Sequence, residues 1–498
     1  MSLVPTTRRA SILTILAAGV IYLFAGGFYV KRGLINADEG LYAYVSYAVM
    51  HGKVPYRDFG YAQMPVLPYL QGAIMSFTGF GVRQQRWINV CLSALSVALG
   101  VALWGTLKPH PVACWALILT WCLCKPMVYY DTIGKTYALT GFLLLAAGGC
   151  LYLKLSPHLK LFLLSLFGVL AIGCRLTVAP AVLILWLGLV VLHRKQISWP
   201  LLLCVPLLAA LAILGPFFAA DPPNAIFWNL TFHLVSPTPT RHGAVLLESF
   251  AMSPAIAVLV AIGVYALAFG KETVSKPGTW LFLAGLASWL ISVGLSGIFA
   301  EYATSCLPLV VTGGGSLLYA GLRTRTKLTA ACFILISATI LGLFYGESFI
   351  KTGYLEAVDR AAAYLRANTK PTDAILTSMP EIPLEAGRPI FPGFEIGKFA
   401  LTAEMDDETA QRRRMITFNQ LLRAVDRQSA PVIVLTRFHS ANFAWSLPSV
   451  TNIVPDIYLK FSTLLLRRYD CVGANEYFLV FKIHDPKYHA PKIDARKL

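Results

Sequence analysis

"SILTILAAGVIYLFAGGFYV", from Ser11 to Val30, is the stretch that decides the fold class. It is an uncharged apolar run of about 20 residues, which is long enough to cross the hydrocarbon core of a membrane as a helix. Arg8 and Arg9 precede it, as in a signal peptide. The run is too long for a typical signal-peptide core and has no convincing small-residue cleavage site. We therefore interpret it as a retained membrane anchor.

The rest of the 498-residue chain has the same apolar character. Hydrophobic residues make up 56% of it and charged residues only 13%, and its mean hydropathy is +0.63. Soluble domains carry about 25% charged residues, so the composition indicates a polytopic α-helical membrane protein. The apolar runs predict about eleven transmembrane helices, at roughly 11–30, 87–106, 111–130, 136–154, 159–174, 176–192, 199–219, 247–269, 279–299, 302–321 and 328–346.

The net charge of +17 comes mostly from Lys and Arg in the short connections between apolar runs. Basic residues in short loops mark the cytoplasmic side of a membrane protein, so this charge needs no nucleic acid as partner. The pattern predicts a multi-pass protein of the cell membrane with a cytoplasmic N-terminus. Residues 31–86, 131–135, 220–246 and the whole region after 347 then lie outside the cytoplasm.

Two domains follow from this topology. Residues 1–346 form a transmembrane catalytic domain whose first outside loop, 31–86, carries amphipathic helices. Residues 347–498 form a small extracytoplasmic α/β domain, because strand-like and helix-like patterns alternate there. The predicted elements are a helix over 354–367, strands in "AILTSM" and "PVIVLTR", a polar helix over 404–427 and a strand in "EYFLVFKI".

The first outside loop opens with an acidic pair, Asp38 and Glu39. Asp38 can cap a short helix, Glu39 suits its first turn, and His51-Gly52 can end it. The helix would lie flat on the membrane surface on an apolar stripe formed by Leu41, Val45, Ala48 and Val49. The sequence is compatible with two roles for Asp38, as the cap of this helix and as a catalytic residue.

The same loop continues with Arg57 and Asp58 among aromatic residues. These two residues form either a local salt bridge or part of a substrate site. A second amphipathic segment, from Val66 to Phe80, leads to Arg86 at the mouth of the next span. Arg86 either extends to the interface as a snorkelling residue or binds the donor.

Further ionisable residues lie at the outside ends of the predicted spans. Ionisable groups at membrane depth are costly and therefore functional candidates by default. These candidates are Asp131, Lys135, Arg175 and the pair Glu301-Tyr302. All of them belong to one predicted membrane face. Arg241, with His233 and His242, either contacts a donor phosphate or a metal or belongs to a polar surface loop.

Carboxylates and cations together at a lipid interface suit sugar transfer from a lipid-phosphate carrier. A carboxylate takes the proton of the acceptor hydroxyl, and cations neutralise the departing phosphate. A transporter or flippase is the alternative, but it predicts charges at the bilayer midplane and repeated halves with broken helices. A structural subunit would not need the acids of the first loop.

The motifs resemble those of the GT-C superfamily of polytopic glycosyltransferases, in particular the protein O-mannosyltransferase and aminoarabinose-transferase-like group. The segments that carry the resemblance are "ADEGLYAYVSYAVMHGKVPYRDF", "MPVLPYLQGAIMSFTGFGVRQQRWIN", "YYDTIGKTYAL", "AIGCRLTVAP" and "AEYATSCLPLV". The resemblance implies a dolichyl- or polyprenyl-phosphate-linked sugar donor and an inverting transfer. It further implies a mannose-like sugar or another hexose or pentose, and an extracytoplasmic acceptor that is a protein, lipid or glycan.

Site roles also come from the resemblance. Asp38 matches the catalytic acid of the first loop, and Glu39 has a supporting or metal-associated role, which leaves room for a divalent cation. Asp131 matches the acid of the second loop. Arg175 stands where many relatives carry a lysine, which implies contact with the donor phosphate. Glu301-Tyr302 resembles a late element in which a base usually stands in place of the glutamate.

Overall fold

The computed structural model describes most of the chain, in ranges separated by short gaps. The described residues are 8–33, 36, 38–107, 110–235, 241–269, 276–295, 299–322, 324–344, 349–350, 353–436, 454–474 and 478–484. They form two compact units. The first unit comprises Met1–Gly33, Arg86–Pro216 and Pro239–Ile350, and the second comprises Leu34–Gln85, Phe217–Thr238 and Lys351–Leu498.

Helices dominate both units. In chain order they are α1 (Arg8–Arg32), α2 (Glu39–Met50), α3 (Val66–Thr78), α4 (Val82–Gly105), α5 (Pro111–Cys122), α6 (Lys125–Thr132), α7 (Tyr137–Gly149), α8 (Pro157–Cys174), α9 (Ala179–His193), α10 (Trp199–Ala220), α11 (Pro222–Ile226), α12 (Phe232–Val235), α13 (His242–Ala251), α14 (Pro254–Phe269), α15 (Pro277–Trp289), α16 (Leu307–Gly321), α17 (Arg325–Phe344), α18 (Tyr354–Asn368), α19 (Glu381–Ala386), α20 (Asp407–Arg412), α21 (Phe418–Asp426) and α22 (Val454–Arg468). Short 3₁₀ helices span Leu176–Val178, Ala300–Cys306 and Gly397–Ala400, and π-helical turns span Phe227–Thr231 and Leu290–Leu295.

The helices confirm a polytopic membrane protein. Within the described residues, seven helices are long and apolar enough to cross a membrane, and counting the bent pairs α5/α6 and α13/α14 as one span each makes nine. The pairs bend by 55° and 104°. Pro126 is the second residue of α6 and Pro254 is the first residue of α14, because proline is tolerated in the first turn of a helix and cannot continue a preceding one. The predicted number of about eleven also counted α7 and α16, which have only 13 and 15 residues.

Helix α10 has the most lipid-compatible surface of these spans. It has 22 residues, and Leu202 is its one buried residue. Large apolar side chains such as Leu203, Leu208 and Leu211 are exposed along it. A helix that exposes apolar side chains around most of its circumference is stable in hydrocarbon rather than in water.

Helix α2 is the helix predicted at the start of the first loop. It begins at Glu39 and ends at Met50, close to the expected bounds, but ten of its twelve residues are buried. It packs against α3 and α19 within the second unit. The face of α2 outside the apolar stripe is not exposed to solvent, because Tyr42 and Tyr44 are also buried in protein. Its position at the membrane surface stays a prediction.

The C-terminal region of the second unit contains a four-stranded sheet. Strands β1 (Ile375–Leu376), β4 (Val432–Thr436), β6 (Phe478–Ile483) and β5 (Tyr469–Ala474) are neighbours in that order. Strand β1 is parallel to β4, and the other two pairs are antiparallel. Strands β2 (Leu401–Thr402) and β3 (Ile416–Thr417) form a separate parallel pair. Helix α18 packs Ala357, Val358, Ala361 and Leu365 into one core with Val432 and Val480.

The predicted α/β pattern is confirmed in outline. The helix over 354–367 and the three predicted strands are present, although Arg437, Glu476 and Tyr477 lie outside the described residues. The single polar helix over 404–427 is wrong. Strand β3 interrupts it, and Thr417 then begins α21 with a capping box completed by Gln420. Strand β5 and helix α22 were not predicted.

Candidate active site

An ion pair in the first unit joins two of the predicted site residues. Lys135 lies in the turn between α6 and α7, and Glu301 lies in the 3₁₀ helix before α16. Lys135 Nζ donates to Glu301 Oε1 at 2.5 Å, and the Tyr137 hydroxyl donates to the same oxygen at 2.9 Å. Only 8% of the Lys135 side chain and 11% of the Glu301 side chain are exposed. The pair is therefore largely withdrawn from solvent.

Arg175 belongs to the same cluster. It lies at the end of α8, where it donates from Nη1 to Thr136 Oγ1 at 3.2 Å and from Nε to Thr177 Oγ1 at 3.0 Å. Its guanidinium lies 4.4 Å from the ring centre of Tyr302 and 5.2 Å from that of Tyr137. Cation–π contacts at these distances stabilise a guanidinium that has left water.

The cluster of Lys135, Arg175 and Glu301 carries more positive than negative charge. Arg175 is only 5% exposed, so among the described residues two cations share a buried region with the carboxylate of Glu301. Buried Lys and Arg side chains are characteristic of sites that bind phosphate or carboxylate groups.

Three other predicted residues of the first unit have different surroundings. Asp131 Oδ2 accepts a hydrogen bond from the Tyr22 hydroxyl of α1 at 3.2 Å. Arg86 is fully buried, and its Nη1 donates to the carbonyl oxygens of Tyr29, Val30 and Gly33 at the end of α1, at 3.0, 3.3 and 3.3 Å. It thus binds the last turn of that helix and does not snorkel to an interface.

Arg241 makes an exposed ion pair. Its Nη2 lies 3.7 Å from Glu248 Oε2, and both side chains are more than half exposed. In the second unit, the His233 ring makes a hydrogen bond to the Ala62 carbonyl oxygen at 2.9 Å. The side chain of His242 lies outside the described residues.

The acidic pair of the first loop lies in the second unit. Asp38 occupies the position before α2, but its side chain makes no capping hydrogen bond to that helix. Its Oδ1 instead lies 3.3 Å from Lys398 Nζ. Glu39 is fully buried, and its Oε2 accepts from the Asn36 backbone N–H at 2.9 Å. The carboxylate of Asp38 is therefore held by a cation rather than by the helix it precedes.

A second buried carboxyl group lies next to this pair. Glu381 of α19 is 2% exposed, and its Oε2 has no hydrogen-bond partner among the described residues. That oxygen is so close to Gly40 that a Cβ there would lie 1.8 Å from it. Burial, and to a smaller extent the charge of Glu39, raises the pKa of Glu381 to about 8. Glu381 is consequently protonated at neutral pH.

Arg57 and Asp58 form a salt bridge in the second unit. Arg57 Nη2 donates to Asp58 Oδ2 at 2.9 Å, and Arg57 Nε donates to Oδ1 at 3.0 Å. The Val54 backbone N–H also donates to Oδ2, at 2.7 Å. The hydrogen bond from Arg57 is the main cause that lowers the pKa of Asp58. A substrate role for these two residues stays a prediction.

Comparisons with solved structures give the fold. ArnT from Cupriavidus metallidurans bound to undecaprenyl phosphate matches with a TM-score of 0.64 and 14% identity, over 94% of this chain and 97% of that one. An oligosaccharyltransferase from Archaeoglobus fulgidus, in complex with Zn and sulfate, matches with a TM-score of 0.50 and 13% identity, over 93% of this chain and 72% of that one. The chain has the GT-C fold. The resemblance read from the sequence is thereby confirmed for the fold.

Sequence comparison does not detect this relationship. No protein-family model matches the chain, and no curated protein matches it either. At 13–14% identity to the solved structures, the fold is shared while individual side chains have to be judged from their own surroundings.

In the part of the chain that the structure describes, the side chains do not fit a metal ion. Among its described residues there is no group of three or more His, Cys, Asp or Glu side chains that could hold one. Asp38 faces Lys398 at 3.3 Å, and a lysine repels a cation.

Sequence reasoning missed three residues of these clusters. Tyr137 lies within the quoted segment "YYDTIGKTYAL", two positions after Lys135. Its hydrogen bond to Glu301 could not be predicted, because Glu301 is distant in the sequence. Lys398 and Glu381 lie more than 340 positions from the acidic pair they accompany. No local pattern marks either of them.

Proposed function

We propose that the protein is a membrane glycosyltransferase that moves a sugar from a polyprenyl-phosphate carrier to an extracytoplasmic acceptor. The shared fold with ArnT, which was crystallised with undecaprenyl phosphate, supports a lipid-phosphate donor. The helices that can cross a membrane would give such a donor lateral access from the lipid. The sugar and the nature of the acceptor, a protein, lipid or glycan, are left to experiment.

The buried cluster of Lys135, Arg175 and Glu301 is the observation that carries the proposal. Among the described residues, two cationic side chains lie buried beside one carboxylate, and all three side chains are withdrawn from water. A lipid phosphate is the type of ligand that buried Lys and Arg side chains bind by charge-assisted hydrogen bonds. Lys135 and Arg175 then stabilise the phosphate as it leaves, since charge-assisted hydrogen bonds to phosphate are among the strongest in proteins.

Asp38 is the proposed general base. Its carboxylate takes the proton of the acceptor hydroxyl while that oxygen attacks the anomeric carbon of the donor sugar. The bond between the anomeric carbon and the phosphate oxygen breaks, and its electron pair leaves with the phosphate. The configuration at the anomeric carbon is inverted. Lys398, at 3.3 Å, positions the Asp38 carboxylate.

The proposal includes a topology. The short basic connections between spans favour a cytoplasmic N-terminus and an extracytoplasmic C-terminal region in the cell membrane. Alkaline phosphatase fused after Leu498 in a bacterial host should be active, and green fluorescent protein fused there should be dark. The reverse pair of results contradicts this topology.

Binding of the carrier lipid tests the phosphate site. Lys135→Met and Arg175→Gln should each weaken the binding of undecaprenyl phosphate to the purified protein by about ten- to a hundredfold, the usual worth of a hydrogen bond to a charged group. Lys154→Met, which changes an exposed lysine of the first unit, is the matched control and should bind as wild type does.

Two results would overturn the proposal. Equal affinity of all four proteins for undecaprenyl phosphate rejects the phosphate site. Movement of the labelled lipid-linked sugar across a proteoliposome membrane, without transfer to any acceptor, indicates the transporter or flippase alternative instead.

A further inference from the structure

A cavity in the second unit is not used by the proposed transfer chemistry. Its volume is about 490 Å³, within the range of small-molecule pockets. One wall comes from Asp58 and Phe59 of the first loop, a second from residues 391–395, and a third from residues 411–424. We name it the Arg414 cavity.

Aromatic and acidic side chains line this cavity together. Phe59 and Phe394 are buried, and Phe391 is partly exposed within it. Glu395 Oε1 accepts from Lys53 Nζ at 2.9 Å, and its Oε2 accepts from the Gly393 backbone N–H at 2.8 Å. These hydrogen bonds and the salt bridge of Asp58 hold the two carboxylates in place. An ionised carboxylate has about four acceptor positions, so Glu395 and Asp58 can still accept a hydrogen bond from a ligand hydroxyl.

Arg414 supplies a cationic donor at the cavity wall. Its side chain is 38% exposed, and its Nη2 lies 3.9 Å from Asp221 Oδ2, beyond hydrogen-bond distance. Its Nε is buried and has no hydrogen-bond partner among the described residues. Its backbone has a φ of +59°, a left-handed conformation that is strained for a non-glycine residue. A strained residue with a partly exposed guanidinium at a cavity wall is a candidate for ligand binding.

The charges around the cavity balance. Asp58 pairs with Arg57, Glu395 pairs with Lys53, and Arg414 faces Asp221. Among the described residues of the wall and their ion-pair partners, positive and negative charges are equal in number, which selects neither an anion nor a cation. The cavity therefore combines aromatic walls, carboxylate acceptors and a guanidinium donor in a neutral setting, which suits a ring with several hydroxyl groups and one apolar face.

We propose that the Arg414 cavity binds a neutral sugar residue. Ligand hydroxyls donate to Asp58 and Glu395, a ligand oxygen accepts from the exposed part of the Arg414 guanidinium, and the apolar face of the ring packs on Phe391. Under the proposed function, on which this assignment rests, the sugar belongs to the acceptor. The cavity and the proposed base are connected through a short stretch of chain. Glu395 lies in the cavity wall, and Lys398, three positions later, has its Nζ 3.3 Å from the carboxylate of Asp38.

The test measures sugar binding directly. The full chain is purified in a detergent without sugar headgroups and titrated, by saturation-transfer NMR, with the methyl glycosides of glucose, galactose, mannose and N-acetylglucosamine, and with inorganic phosphate. At least one glycoside should bind. Arg414→Met and Phe391→Ala should each weaken that binding at least tenfold. Arg427→Met, an exposed arginine after α21 outside the cavity wall, should leave it unchanged.

Three outcomes would overturn this assignment: no glycoside binds, both variants bind it as wild type does, or inorganic phosphate displaces it. A thermal unfolding curve for each variant separates lost binding from lost folding. Binding of undecaprenyl phosphate, measured on the same samples, separates the two proposals. If the lipid binds normally while no glycoside does, the cavity assignment alone fails; if glycosides bind and the lipid does not, the proposed function fails.

Discussion

The ammonium group of Lys135 lies 2.5 Å from the carboxylate of Glu301, and both side chains are almost wholly buried in the first unit. The two residues are 166 positions apart, so the pair fixes the turn after α6 against the 3₁₀ helix before α16. Removing one partner of a buried ion pair leaves the other charge uncompensated. The pair is therefore a structural element as well as part of the proposed phosphate site.

Glu301→Gln should destabilise the protein strongly. It removes the carboxylate that pairs with the buried Lys135 ammonium, and breaking a buried pair costs about 3–5 kcal/mol. Glu248→Gln, which breaks the exposed pair with Arg241, should cost less than about 1 kcal/mol. Unfolding curves of both variants in detergent measure this difference. Equal unfolding midpoints would show that the buried ion pair does not stabilise the folded protein.

Arg86→Met should loosen the end of α1. The buried guanidinium donates to three carbonyl oxygens of that helix end, and a buried acceptor left without a donor costs about 1–3 kcal/mol. Arg32→Met, on the same helix end but exposed, loses a contact over the Phe28 ring at 5.0 Å and should cost less than about 1 kcal/mol. A wild-type melting temperature for Arg86→Met would contradict the capping role.

Gly60→Ala should be poorly tolerated. A Cβ there would lie 2.1 Å from Cζ2 of the buried Trp228, whose Nε1 donates to the Arg413 carbonyl oxygen at 3.0 Å. Overpacking of this kind costs about 1–3 kcal/mol. Gly243→Ala is the control, because no atom lies within 4 Å of its added Cβ. It should be neutral or stabilising, and equal loss in both variants would contradict the close contact.

Glu381 should make stability depend on pH. Burial raises its pKa from 4.5 to about 8, so the native state holds a proton that the unfolded chain releases near its ordinary value. Stability from this group is fully present at acidic pH, decreases from about pH 4.5 upward, and levels off above about pH 8. Glu381→Gln mimics the protonated form and should flatten this dependence.

The control for this pH series is Glu408→Gln, which changes an exposed carboxylate of the same unit. Unfolding midpoints at pH 5, 6.5 and 8.5 provide the comparison. If the slope with pH is the same in Glu381→Gln as in wild type, Glu381 does not titrate in this range.

The membrane helices could be predicted from the sequence because an apolar run of sufficient length is a local signal. Residues 404–427 show the limit of such signals. They look like one polar helix, yet β3 forms there by pairing Ile416 and Thr417 with Leu401 and Thr402, a contact that no local pattern contains. Lys135, Arg175 and Glu301 could each be named as candidates from their positions at the ends of apolar runs. Their clustering could not be predicted, because it depends on contacts between segments that are far apart in the chain. For Asp38 the sequence left capping and catalysis open. Its ion pair with Lys398, 360 positions away, has no local signal.

Transfer by Asp38→Asn tests the central claim most directly. Wild type, Asp38→Asn and the exposed-acid control Glu408→Gln are purified and supplied with radiolabelled polyprenyl-phosphate sugars and membrane acceptors. The account predicts labelled acceptor with wild type and the control. It predicts none with Asp38→Asn, although that variant inserts in the membrane and binds undecaprenyl phosphate normally. Transfer by Asp38→Asn at the wild-type rate would contradict the assignment of Asp38 as the base.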